Sequence, residues 1–133
     1  MKFISSEEFL KQDKEVQKVF LDWFENEACS YDIVVFKNDL QYVTFYGDIE
    51  YQESFNYEDS YIPLLTEGQL REFIEDKTGC YIDISHNSMD TCIQLCDKED
   101  EYPIEEWEWQ YLSNDLLQAY WKAAVEIAEH ETR

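Results

Sequence analysis

Residues 65–96 read LTEGQLREFIEDKTGCYIDISHNSMDTCIQLC, and the fold class turns on them. Thr66 followed three residues later by Gln69 is a capping box, with Leu65 and Leu70 spaced as the hydrophobic staple across it. Leu70, Phe73 and Ile74 recur at helical spacing until Gly79, a residue free to take the left-handed conformation that ends helices. Beyond Gly79 the period drops from 3.6 to 2. CYIDIS (80–85) and TCIQLC (91–96) alternate and are joined by a polar turn at His86 to Asp90, which predicts a hairpin.

The same two periods organise the chain on either side. Ser5 with Glu8 at N3 opens a short N-terminal helix, and Asp13 is placed to cap a second one. Val16, Val19, Phe20, Trp23 and Phe24 stripe this second helix at spacings of three and four. From Tyr31 the pattern alternates through YDIVVF (31–36), QYVTFYG (41–47) and IEYQESFNY (49–57), with turn signals at Asn38–Asp39 and Gly47–Asp48, so a three-stranded meander is expected. Further on, EEWEWQY (105–111) alternates as another strand, and Pro103 confines its start to an edge or loop end. Ser113 is the expected N-cap of the last helix, which carries Leu116, Leu117, Tyr120, Trp121, Ala124, Val125 and Ala128 on one side. The expectation is α+β: an antiparallel sheet of about five to six strands with three main helices, N-terminal, central and C-terminal. With 133 residues and no linker or repeat, the chain reads as a single acidic domain over 1–133.

Composition argues for a folded chain with an unusual surface. Hydrophobic residues make up 44% and aromatic residues 17%, with only three glycines and two prolines, which is not the composition of a disordered chain. Ten Lys and Arg stand against 31 Asp and Glu, a formal net charge of -21. Self-repulsion of this size works against the compact state. It also disfavours direct binding to nucleic acid or to an anionic membrane, because both are polyanions held by Lys and Arg. Basic proteins are the partners such a field attracts. The N-terminus MKFISSEEFL has no long apolar core, and no run of about 18 apolar residues occurs, so neither a signal peptide nor a spanning helix is expected. Cys29, Cys80, Cys92 and Cys96 are read as reduced thiols in a cytoplasmic protein.

Sites of chemistry are weakly signalled. Cys80, His86, Cys92 and Cys96 are the residue types of a zinc site, but the paired C-x-x-C spacing is missing, and Cys92 and Cys96 share a strand face on which cysteine serves as a small hydrophobe. Counted from Asp97, a calcium loop of the EF-hand kind would need Gly at the sixth position, where Tyr102 stands. His86 and His130 are the only histidines, and no nucleophile-elbow or phosphate-cradling glycine pattern is present. Carboxylate pairs are unavoidable among 31 acids and do not single out an acid–base couple. No catalytic residue, cofactor or metal is therefore assigned, and a small divalent-metal-dependent enzyme is the third-ranked reading.

The acidic surface carries the first reading. No Lys or Arg lies between Lys37 and Arg71, or between Lys98 and Lys122. The first window holds Asp48, Glu50, Glu53, Glu58 and Asp59. The second holds Glu99, Asp100, Glu101, Glu105, Glu106 and Glu108, interleaved with Tyr102, Trp107 and Trp109. A solvated face would account for acidity alone. Segregation from the bases, and alternation with large aromatics on strands, point instead to a binding surface in which carboxylates pair with Lys and Arg of a partner and aromatic rings anchor it. Tyr51, Tyr57 and Tyr61 are further expected anchors. The expected partner is a basic nucleic-acid-binding protein whose groove the chain occupies in place of nucleic acid.

The segments ISSEEFLKQDKEVQKVFLDWF, YIPLLTEGQLREFIEDKTG and DLLQAYWKAAVEIAE resemble a family of small uncharacterised proteins from phages and mobile elements of Gram-positive bacteria. About 55 residues carry the resemblance, all in the expected helices, and no catalytic residue comes with it. It implies a setting in which small acidic proteins inhibit restriction enzymes and CRISPR nucleases, several of them by mimicking DNA. The leading expectation is an anti-defence inhibitor of a CRISPR effector or other defence nuclease, acting in the host cytoplasm. The alternative is a phage accessory protein bound to another basic host protein, such as a polymerase or histone-like protein. The sequence does not fix the oligomeric state.

Overall fold

The computed structural model describes residues 2–50, 60–86, 91–97, 103–109 and 115–133, with the backbone alone described at 49, 50, 86, 91, 97 and 103–109. The chain is α+β, and its residues cluster into two compact units, essentially 3–65 and 66–131. Each has its own antiparallel sheet of three strands. The expectation of one sheet of five or six strands is thus corrected among the described residues. Alternation identifies a strand but not its neighbours, and the pairing here closes within each half of the chain.

In the first unit, α1 (Ser6–Leu10) begins where Ser5 Oγ accepts from the Glu8 amide at 3.2 Å. Helix α2 (Lys14–Glu27) follows Asp13, which caps through its extended backbone, its carbonyl accepting from the Gln17 amide at 2.9 Å. The helix buries Val16, Phe20, Leu21, Trp23 and Phe24, while Val19 is half-buried. Strand β1 (Ile33–Phe36) is central, in the order β2–β1–β3. Its adjacent Val34 and Val35 point to opposite faces and are both buried, so β1 is covered on both sides. The two-residue turn Lys37–Asn38 lets β2 (Asp39–Phe45) start two residues before the expected 41.

The third strand of the expected meander does not start at 49. Tyr46–Glu50 is instead a short helix, α3. The cause is tertiary: the Tyr46 amide donates to the Asp32 carbonyl at 2.7 Å and the Gly47 amide to the Ser30 carbonyl at 2.9 Å. A Cβ on Gly47 would stand 2.7 Å from Ser30 Cβ, so the close crossing requires glycine there. Residues 51–57 of the expected strand lie outside the described residues. The sheet is completed by β3 (Tyr61–Pro63), which pairs antiparallel to the other side of β1 with Val35 opposite Ile62. Pro63, without an amide proton, is tolerated because β3 is an edge among the described residues.

Tyr61 is fully buried against the rings of Phe24 and Tyr46, with centroids 6.1 and 5.6 Å away, and its hydroxyl donates to Glu25 Oε1 at 3.2 Å. It is therefore not the exposed anchor expected from sequence. Burial, reinforced by the Glu25 charge, pushes its phenol well above the ordinary tyrosine range. A raised folded value means that the stabilisation is fully present below the unfolded pKa of about 10 and is lost as pH rises beyond it. Tyr61→Phe should cost about 1 kcal/mol at neutral pH through the lost hydrogen bond. Because the variant has no phenol to ionise, its stability deficit should shrink above about pH 10. Paired thermal melts between neutrality and about pH 11 check this, and a deficit constant with pH would contradict it.

In the second unit, α4 (Glu67–Thr78) has the full capping box, with the Thr66 amide donating to Gln69 Oε1 at 2.9 Å and the Gln69 amide to Thr66 Oγ1 at 3.3 Å. It ends at Gly79 in the left-handed conformation, φ 68°. Strands β4 (Cys80–His86), β5 (Thr91–Asp97) and β6 (Pro103–Trp109) form the sheet in that order. The last helix, α5 (Leu116–Glu131), is capped by Asp115 in place of the expected Ser113, which lies outside the described residues. Asp115 Oδ1 accepts from the Leu117 amide at 3.0 Å, and its carbonyl accepts from the Ala119 amide at 3.0 Å. Helix α5 buries Leu117, Tyr120, Trp121 and Ile127 together with four alanines, while Leu116 and Val125 are half-buried. Lys77 Nζ lies 3.3 Å from Glu131 Oε2.

Candidate functional site

The β4–β5–β6 sheet separates an apolar face from a polar one. Ile82 stands opposite Leu95 and Ile84 opposite Ile93; Cys80, Ile82, Ile93 and Leu95 are buried. The other face carries exposed Asp83 and Ser85 on β4 and half-buried Cys92 and Gln94 on β5. Cys92 and Cys96 do share a face by periodicity, but it is not the core face. Only Cys96 of the two is buried, and the core row is Ile93 and Leu95. The four cysteines are free thiols, with Cys29 exposed and Cys80 donating weakly to the Thr78 carbonyl at 3.5 Å.

Strand β6 brings Glu105, Glu106, Trp107, Glu108 and Trp109 together on consecutive positions, paired antiparallel to β5. Trp109 stands opposite Ile93 and Glu108 opposite Gln94, with a register shift between Gln94 and Cys96 before Pro103 meets Cys96. Among the described residues β6 is an edge of its sheet, and the position of Pro103 at its start agrees with the constraint read from sequence. The register also adds a residue: Asp83 pairs with Gln94 and Gln94 with Glu108, so an exposed carboxylate occupies the same cross-strand row as β6. The alternation of CYIDIS already separates Asp83 from Ile82 and Ile84, but its alignment with Glu108 follows only from the register.

The other expected contact residues are distributed differently. Asp48 is exposed on α3 in the first unit, and Glu50 is the last residue of that helix. Glu53, Glu58, Asp59, Glu99, Asp100, Glu101 and Tyr102, with the expected anchors Tyr51 and Tyr57, lie outside the described residues. Among the described residues, no helix is long and apolar enough to cross a membrane.

Arg71 and Lys77 of α4 are both paired with glutamates. Arg71 Nε lies 3.0 Å from Glu75 Oε1 on the exposed side of α4, and this hydrogen bond raises the guanidinium pKa further. Burial raises the Tyr120 hydroxyl, against an opposing pull from Arg71. No protein-family model, curated protein or solved structure matches the chain.

Proposed function

We propose that the protein is a non-enzymatic inhibitor that occupies the basic nucleic-acid groove of a defence nuclease, a CRISPR effector first among them, by presenting carboxylates in place of phosphates. The observation that carries this reading is β6: three glutamates and two tryptophans within seven residues of an edge strand, in a window with no base between Lys98 and Lys122. Alternate residues of a strand, such as Glu106 and Glu108, are about 7 Å apart along the chain. That is roughly twice the axial spacing of phosphates on one strand of duplex DNA. Asp83 extends the acidic row across the sheet. The phage setting is supported by the resemblance of the helical segments, and the net charge of -21 supplies the field that steers the chain to a basic partner.

Competition tests this reading. The protein should bind a guide-loaded CRISPR effector nuclease, and a DNA duplex carrying the effector's target should displace it. Binding that such DNA leaves unchanged at saturating concentration would place the contact away from the groove and favour an accessory protein of another kind. No binding to any nucleic-acid-handling protein, even at low salt, would end the proposal.

A further inference from the structure

We propose that the outer edge of β2 docks an extended, basic segment of a protein partner, which adds to the β2–β1–β3 sheet as a further strand. This does not rest on the partner being a nuclease. Strand β2 is an edge, and among the described residues no strand pairs with its outer side. Tyr42 and Val43 are 57% and 53% exposed, and Thr44 is half-buried. Leu40 and Phe45 are also exposed. The Phe45 ring meets exposed Tyr31 edge-on at 6.1 Å, and the Tyr42 ring meets Phe36 at 5.3 Å.

Natural edge strands are blunted by lysines, prolines, bulges or inward charges. The stretch 40–45, LQYVTF, has no charged residue, proline or glycine, but its pairing with β1 shifts register between Val35 and Phe36, so 40–42 bulge and 43–45 form the regular part of the edge. Six uncharged residues, of which Tyr42, Val43, Thr44 and Phe45 have high strand propensity, are the pattern of a segment that pairs readily with another backbone. Charge selects the occupant. A second copy would bring another chain of net charge -21 against the first, and nucleic acid has the same sign. From 19 to 70 the only base is Lys37. Exposed Asp39 opens β2 and exposed Asp48 follows its end, so a strand laid along this edge meets acid at both ends. The chemistry that fits is an extended segment with apolar or β-branched residues at its centre and Lys or Arg at its ends. Backbone hydrogen bonds would supply affinity and alternate side chains specificity.

A labelled peptide with two lysines at each end of a centre of valine, threonine and tyrosine is the probe, tested on the full chain. Binding should slow exchange of alternate amides within 43–45. A backbone N-methylated twin of equal charge should bind at least about tenfold more weakly, since it cannot pair its backbone. Val43→Lys, at an exposed position, should weaken the unmodified peptide and leave the circular dichroism unchanged. The proposal is overturned if the peptide does not bind, or if the twin binds equally well, which would mean charge attraction alone. It is also overturned if those alternate amides are already slow in the free protein, or if sedimentation shows a micromolar dimer that Val43→Lys dissolves, since the edge is then already occupied.

Discussion

Reversing Glu105, Glu106 and Glu108 together to Lys should weaken binding to the target nuclease by about a hundredfold or more. With β6 seated in a basic groove as proposed, each reversal would set a positive charge in place of a carboxylate opposite the groove's Lys or Arg. Juxtaposed like charges at an interface cost several kcal/mol, and about 1.4 kcal/mol corresponds to a tenfold change in affinity. Total charge alone would weaken steering as well, so the informative comparison holds it fixed. Glu7, Glu15 and Glu27 are exposed on α1 and α2, outside the proposed surface, and reversing those three changes the net charge by the same amount. That control should bind within a few-fold of the unaltered protein, by roughly the effect of a screened distant field. Equal losses in the two triple variants, measured by equilibrium titration, would show that the field of the whole chain, and not β6, determines binding.

Edge strand β6 is a reasonable place for such charge. A strand with an unpaired outer edge is a hazard for indiscriminate pairing, and charged residues blunt it. The glutamates of β6 would therefore serve solubility and recognition at once. Strand β2, the edge of the other sheet, has no charge within 40–45, and the two edges differ in what they can attract.

The helices were the most legible part of the fold. Thr66, Gln69 and Gly79 delimit α4 by local chemistry that does not depend on the rest of the chain, and the structure keeps every one of those interactions. The β4–β5 hairpin was likewise visible in the alternation of CYIDIS and TCIQLC. The reading failed at Tyr46–Glu50, where Ile49, Tyr51, Phe55 and Tyr57 continue a convincing period of two. There the chain is turned by hydrogen bonds to Ser30 and Asp32, partners about fifteen residues away that no local pattern announces. Tyr61 was misplaced for the same kind of reason, since an aromatic in an acidic window looks like an exposed anchor until Phe24, Glu25 and Tyr46 enclose it.

Part of the candidate site was also legible. Glu105 to Trp109 alternate in sequence and do form a strand. Their alignment with Asp83 through Gln94 depends on the register across two strand pairs, shifted between Gln94 and Cys96, and that information is nonlocal. The exposure of β2 was hidden for the opposite reason. Alternating apolar residues normally signal one buried face, and nothing in LQYVTF says that Val43 and Phe45 stay exposed.

Salt dependence bears most directly on the central claim that carboxylates replace phosphates in a basic groove. Binding to the guide-loaded nuclease should be followed by equilibrium titration between about 50 and 200 mM monovalent salt, the range over which a protein making six to ten phosphate contacts on DNA loses about 10³–10⁵ in affinity. Nucleic-acid mimicry by a folded protein, which releases fewer condensed counterions than DNA, should give a linear fall of log affinity against log salt of about a hundredfold over that range, with a shallower slope in the Glu105, Glu106 and Glu108 triple reversal. An affinity that changes by less than about twofold would mean that apolar contacts carry the complex, and would contradict nucleic-acid mimicry.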